Sequence, residues 1–279
     1  MFYVKKMSPE DFKFAVRLTD TKGWKFIEED FQFMKELEPE GCFVLFEDSE
    51  RIGIVTSINF GEIGWLGNLI VKEKYRRRGA GAMLARQVIA YLTSKNVETV
   101  GLYAYMDIIP FYEKIGFKYD SDFTVLEGKA FASQVGTNLI EARREDYQKI
   151  VEFDSYYFGA SRKKLLEAIL RNASNLCYLA VEDGRILGYV MTKVYEGIAE
   201  IGPLVCQSGR SDIAIDLIRS IFNRLESFEV SFCILRKEEA ILNFLKKSGI
   251  DERFHVARMF FRPTSLKECT YIAESLERG

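Results

Sequence analysis

The feature that most restricts this chain of 279 residues is that it repeats itself. CFVLFEDSERIGIV, from Cys42, and CYLAVEDGRILGYV, from Cys177, place a cysteine, an apolar run, a Glu-Asp pair and a glycine at equal offsets, 135 residues apart. The same interval relates MSPEDF, from Met7, to ARREDY, from Ala142. Further on, GNLIV (Gly67 to Val71) matches IGPLV (Ile201 to Val205), and FYEKIGF, from Phe111, matches FLKKSGI, from Phe244. Four segments agreeing in order mean two copies of one unit, and the small drifts in interval are what loop insertions and deletions produce. The expected division is 1–130 and 131–279, with the join near EGKAFASQVGTN (Glu127 to Asn138). Two domains suit this length, which is long for a single core.

Within the first copy, local patterning predicts a mixed α/β unit. Helices are expected over Pro9 to Thr19 and Glu28 to Glu36. A hairpin follows, turning at Asp48-Ser49, as its counterpart turns at Asp183-Gly184. Ile63 to Val71 reads as a strand, and Gly81 to Thr93 as a helix with Leu84, Val88, Tyr91 and Leu92 on one face. Val97 to Tyr103 reads as a strand. Asp107 is expected to cap a short helix that Gly116 closes.

Several chemistries are disfavoured by counting. His255 is the sole histidine and stands in a strand-like context, so a His/Cys metal site or a His-based nucleophile device has little to be built from. The five cysteines (42, 177, 206, 233 and 269) are scattered and odd in number, which reads as buried free thiols in a reducing compartment. With 39 basic and 41 acidic residues, no net field points to nucleic acid or an anionic membrane. No run approaches a membrane span and no leader pattern opens the chain, so the cytoplasm is the expected location.

The dense basic cluster is YRRRGAG, Tyr75 to Gly81. A strand, a short link and then glycines opening a helix create an anion site. The first helical N–H groups lack intrahelical partners, and the helix dipole adds positive charge there. Gly79 and Gly81 let a phosphate approach the backbone, with Arg76, Arg77 and Arg78 around it. The spacing is neither that of a P-loop nor that of a dinucleotide fingerprint.

Taken together, GNLIV, YRRRGAGA, the amphipathic segment and FYEKIGF resemble the GNAT N-acetyltransferase superfamily. The signature Arg/Gln-x-x-Gly-x-Gly/Ala is met by Arg76 through Gly81. More narrowly, the chain resembles tandem-GNAT proteins with a divergent second domain. The resemblance implies two domains, each a mixed, mostly antiparallel twisted sheet flanked by helices. It implies acetyl-CoA as co-substrate, a primary amine of a small molecule or peptide as acceptor, and no metal. It also implies cofactor contacts from Leu69, Ile70 and Val71 on a splayed strand and from Arg76, Arg77, Arg78, Gly79, Ala80, Gly81 and Ala82 around the diphosphate. Tyr112 matches the tyrosine beside the CoA sulfur, and an N–H near Leu69 or Ile70 would serve the oxyanion. Trp24 and Asn68 are candidates for the acceptor side. One departure is that Tyr105 or Met106 stands where an asparagine often precedes the tyrosine helix.

No general base is legible among Glu28, Glu29, Glu62 and Asp107. In the second copy Gly79 corresponds to Asp212, Gly81 to Ala214 and Tyr112 to Leu245, so that copy is expected to keep the fold without binding acetyl-CoA. Arg162, in YYFGASR, is read as a helix-surface residue, with a carboxylate partner as the alternative. The leading expectation is an acetyl-CoA-dependent N-acetyltransferase active in its first domain, as a monomer or homodimer. The rival is a non-catalytic acyl-CoA sensor that kept the cradle.

Overall fold

A computed structural model describes residues 1–136 and 138–279; Thr137, in the expected linker, lies outside the described residues. The first copy runs β1 (Phe2–Lys6), α1 (Phe12–Asp20), α2 (Glu28–Leu37), β2 (Phe43–Glu47), β3 (Glu50–Asn59), β4 (Ile63–Val71), α3 (Ala80–Ser94), β5 (Thr99–Tyr105), α4 (Ile109–Glu113) and β6 (Lys118–Lys129). The second repeats the order with β7 (Leu139–Glu141), α5 (Tyr147–Phe158), α6 (Lys163–Arg171), β8 (Leu176–Glu182), β9 (Arg185–Val194), β10 (Ile198–Gln207), α7 (Ser211–Arg224), β11 (Glu229–Leu235), α8 (Glu239–Lys247), β12 (Asp251–Phe260) and β13 (Cys269–Ile272). The expected hairpins turn where predicted, with Asp48 and Asp183 at positive φ. Asp107 does not cap α4. It lies inside a 3-10 turn, Met106–Ile108, that precedes the helix, and no side chain caps either. Among the described residues no helix is long and apolar enough to cross a membrane.

Among the described residues thirteen strands form one mixed, mostly antiparallel sheet, in the order β1-β2-β3-β4-β5-β12-β6-β11-β13-β10-β9-β8-β7. The two copies exchange strands at its centre. β12, from the C-terminal half, pairs with β5 from Val256↔Tyr105 to Phe260↔Gly101. β6, from the N-terminal half, pairs with β11 from Glu229↔Lys129 to Leu235↔Phe123. The exchanged strands β6 and β12 also pair with each other. Each copy's fifth strand therefore has the other copy's sixth strand as its neighbour.

Strand alternation sorts the side chains into layers. On one face α1, α2, α5 and α6 share a single core, including Phe31, Met34, Trp65, Phe158, Leu165 and Tyr271. On the other face α3 and α4 cover the first copy and α7 and α8 cover the second, each pair over its own core. Packing that spans the halves includes Trp65 against Phe158 and Phe260, and Phe123 against Tyr271.

Arg162 is not on a helix surface. It is fully buried, donates through Nε to Asp154 Oδ2 (3.1 Å) and through Nη2 to Oδ1 (2.6 Å), and lies over the Phe158 ring. Its Nη1 donates to the Tyr271 hydroxyl oxygen and to the Gly279 carbonyl, while Tyr189 donates to Asp154. The apolar-flanked sequence YYFGASR hides this, because Asp154 and Arg162 meet only once α5 turns into α6. Arg162→Met should destabilise the protein by about 3–5 kcal/mol in urea unfolding, since it leaves the Asp154 charge buried without a counter-ion. A loss below about 1 kcal/mol would contradict that account.

Candidate functional site

β4 and β5 run parallel only over Ile63–Trp65 and Thr99–Gly101, then separate. The cause is a β-bulge. On β3, Ile54 pairs with Ile70 and Thr56 with Gly67, so Asn68 and Leu69 together oppose Val55. Asn68 takes φ 50°, a conformation that asparagine tolerates better than most residues. Beyond Trp65, no strand among the described residues pairs with the β5-facing edge of β4. Leu69, Ile70 and Val71, the expected strand contacts, lie along this wedge.

At its open end the chain makes a turn over Arg76–Gly79 and enters the fifteen-residue α3. Arg77 and Gly79 both have positive φ, 59° and 83°, with Arg78 between them at negative φ. That alternation turns successive N–H groups toward one place, as in anion-binding nests. The N–H groups of residues 77 to 82 have no hydrogen-bond acceptor among the described residues. A Cβ placed on Gly79 would meet nothing within 4 Å, so the backbone there faces open space.

The three arginines divide. Arg76 donates through Nε to the Val71 carbonyl at 3.0 Å, closing the end of β4. Arg78 reaches away to Glu47 at 2.7 Å and lies over the Phe2 and Tyr75 rings. Arg77 makes no ion pair or hydrogen bond with its side chain among the described residues, and it is exposed. It is the cation left available to a ligand.

Tyr112 sits on α4 on the same side of the sheet as α3, edge-on to Phe111 (5.0 Å) and Phe117 (5.6 Å). Burial pushes its phenol well above the ordinary value, and no hydrogen bond contributes. It therefore stays protonated at any working pH, which is the form that can donate.

Trp24 and Asn68 lie toward the opposite face. Trp24 donates through Nε1 to the Tyr105 hydroxyl at 3.1 Å and packs against Phe26. Asn68 donates through Nδ2 to Thr56 Oγ1 at 3.2 Å, while its buried Oδ1 has no partner among the described residues. Tyr103 and Tyr105, alternating on β5, belong to this face, and the buried Tyr103 hydroxyl likewise has no partner among the described residues. The alternation in GLYAYM carried that signal, although sequence reasoning used Tyr105 only to mark a missing asparagine.

The second copy has the same wedge, filled. β10 and β11 are parallel over Ile198–Glu200 and Glu229–Ser231, and a register shift follows at Ile201/Leu204. β13 then occupies the gap, pairing from Leu204↔Ile272 to Gln207↔Cys269 on β10 and touching β11 at Ile234. At the start of α7, Asp212 carries its own negative charge, paired with Arg210 through two contacts of 3.1 and 3.0 Å. The counterpart of Tyr112, Leu245, is buried in the core.

Residues 11–117 match the acetyltransferase (GNAT) family, and residues 150–271 match a second acetyltransferase (GNAT) domain family. A curated relative, the uncharacterized N-acetyltransferase YitH of Bacillus subtilis, is 27% identical over 220 residues, covering 76% of this chain and 75% of that protein. Among solved structures, a Pyrococcus horikoshii protein superposes with a TM-score of 0.81 at 23% identity, covering 100% of this chain and 96% of that one. A GCN5-related N-acetyltransferase from Sphaerobacter thermophilus gives 0.70 at 15% identity over 95% and 98% of the two chains. A tandem GNAT protein from the clavulanic acid biosynthesis pathway gives 0.63 at 13% identity over 95% and 100%.

Proposed function

The chain belongs to the GNAT N-acetyltransferase family, with two such domains in tandem, and we propose that acetyl-CoA-dependent transfer to a primary amine takes place in the N-terminal domain alone. The observation that carries this reading is the contrast between the two wedges: β4 and β5 part around an open gap, while β10 and β11 part around β13. An extended pantetheine can pair with a strand edge exposed inside a wedge, and among the described residues the β4/β5 wedge offers one where the β10/β11 wedge is filled by β13.

The residues at the open wedge fit such a ligand. Six unpaired N–H groups at a helix start suit a diphosphate, and the Arg77 side chain adds a charge-assisted contact. On this reading Arg76 and Arg78 shape the turn through Val71 and Glu47 rather than binding directly. When bound, acetyl-CoA supplies the thioester. An N–H of Leu69 or Ile70 at the bulge would donate to the thioester oxygen, where negative charge develops. Tyr112 would donate to the departing sulfur. Its raised pKa makes full proton transfer to a thiolate uphill, so the hydrogen bond itself carries much of the stabilisation.

Calorimetric titration should give one acetyl-CoA per chain. Tyr112→Phe should keep that affinity within about twofold and lower kcat by about 100-fold, the low end for a general acid. Two equivalent binding events, or unchanged kcat in the variant, would sink the assignment.

A further inference from the structure

After β13 the chain does not leave the molecule. Residues 273 to 279 run between the two halves and touch both bulges. A Cβ on Gly202, at the β10 bulge, would lie 2.0 Å from the Ala273 carbonyl oxygen. A Cβ on Gly67, at the β4 bulge, would lie 2.5 Å from the Glu277 carbonyl oxygen and 2.8 Å from its Cα. Trp65 donates to the Leu276 carbonyl at 3.3 Å, and the Glu274 N–H donates to the Gly279 carbonyl at 3.0 Å. The segment is thus a closed loop pressed onto β4 where β4 leaves β5.

This contact falls on the face opposite Tyr112. Ile54 and Ile58 of β3 belong to the core under α1 and α2, so Thr56 between them points the same way. Gly67 is its cross-strand partner and the Asn68 amide bonds to it. Asn68 is 6% exposed, and its Oδ1 has no hydrogen-bond partner among the described residues. A buried amide oxygen left bare is costly unless something donates to it.

The charge around the loop is unbalanced. Lys193 pairs with Glu200 (2.6 Å) and Glu274 (2.7 Å), and Arg278 pairs with Glu274 (2.8 Å). Asp30 of α2 senses the same Arg278, Glu200 and Lys193. Four carboxylates, Asp30, Glu200, Glu274 and Glu277, face two cations there, and neither Asp30 nor Glu277 makes an ion pair among the described residues.

We propose that the loop of the C-terminal domain completes the acceptor site of the N-terminal one: Asn68 Oδ1 and the Glu277 carboxylate receive the acceptor's ammonium, Glu277 takes its proton, and the acceptor is a cationic amine. The proposal rests on the N-terminal domain being the acetyl-transfer site. Glu277 removes one proton from the ammonium and passes it to solvent. The freed nitrogen lone pair forms the C–N bond to the thioester carbon as the C–S bond breaks. The Tyr112 hydroxyl holds the departing sulfur by a hydrogen bond, and the thiolate takes up the second proton that the nitrogen sheds as it becomes the amide.

Burial raises the Glu277 carboxyl above its ordinary value, against the attraction of Arg278 and Lys193 and with the repulsion of Glu200. Tyr105 on β5 and Cys233 on β11 also face it, both with ionisation pushed up. A base must be deprotonated to act, so the rate should climb as pH rises through this elevated pKa.

The test measures CoA release with butane-1,4-diamine and with 4-aminobutanoate, alongside calorimetry with acetyl-CoA. The wild type should favour the diamine by at least about tenfold in kcat/KM. Glu277→Gln should lose about 100-fold in kcat and the rising limb of the pH profile, while binding acetyl-CoA as the wild type does. Asn68→Gly, which accepts the positive φ, should raise the diamine KM about tenfold with little change in kcat. It keeps the idea testable if Glu277→Gln misfolds. Wild-type kinetics and pH profile in folded Glu277→Gln, an unchanged KM in Asn68→Gly, or preference for 4-aminobutanoate would overturn the proposal while leaving acetyl transfer standing. A wild type that binds acetyl-CoA yet acetylates neither amine would overturn the cationic-amine assignment. One that binds no acetyl-CoA would overturn the proposal together with the reading beneath it.

Discussion

Titrating acetyl-CoA into the Gly81→Glu variant should give no measurable heat of binding, a loss of at least about 100-fold, while the variant melts close to the wild type. Gly81 lies in the first turn of α3, among the amides from 77 to 82 that have no acceptor. A Cβ there would approach the Phe111 ring at 3.2 Å and Leu69 at 3.7 Å, so the added side chain is turned along the wedge. Its carboxylate would bring a negative charge to the helix N-terminus that an incoming diphosphate needs, and could itself accept from those amides. One charge-assisted contact is worth about 1.5–3 kcal/mol, so exchanging attraction for repulsion at several amides exceeds the 2.7 kcal/mol that corresponds to about 100-fold. Phe111 is a ring at the margin of the turn and can shift, which is why the fold should survive. Retained binding within tenfold would place the cofactor elsewhere.

The second large effect concerns the chain cut after residue 130. The fragment 1–130 should show no cooperative thermal transition, whereas the full chain should unfold in a single one by calorimetry. In the fragment β6 loses both neighbours, β12 and β11, and β5 loses β12. Trp65 and Phe123 also lose Phe158, Phe260 and Tyr271, which pack on them from the other half. Burying an aromatic or large aliphatic side chain is worth about 1.5–3 kcal/mol, so five such residues represent about 8–15 kcal/mol, comparable with the whole stability of a domain. A fragment melting cooperatively near the temperature of the full chain would show that the exchange is dispensable.

How far the sequence reached depended on the range of the interaction. β4 was expected over Ile63 to Val71 and spans those residues, and α3 differs by one residue at each end, because apolar spacing reports strand and helix faces directly. The five cysteines are buried and free, as their scatter indicated. Asp107 misled because an acidic residue ahead of a helix resembles a cap, yet an intervening 3-10 turn moved the helix start beyond it. Arg162 misled because its partners, Asp154, Tyr271 and the Gly279 carbonyl, come from three separate parts of the chain. Among the three arginines, sequence showed equal candidates, and only Glu47 and the Val71 carbonyl distinguish Arg77 from its neighbours.

The sequence by itself determined that the chain holds two copies of one α/β unit, and that the first alone keeps the arginine-glycine turn and Tyr112. Such features are local: a turn residue, a helix start and a side-chain period are set within a few positions of one another. Only the tertiary structure decided that β6 and β12 change places, that β13 fills the second wedge, and that residues 273 to 279 lie against the β4 bulge. Those outcomes depend on which exposed strand edges and apolar faces meet after the chain has closed long loops. No short window of residues records that choice, and Glu277, 210 residues from Gly67, acquires its neighbour only through it.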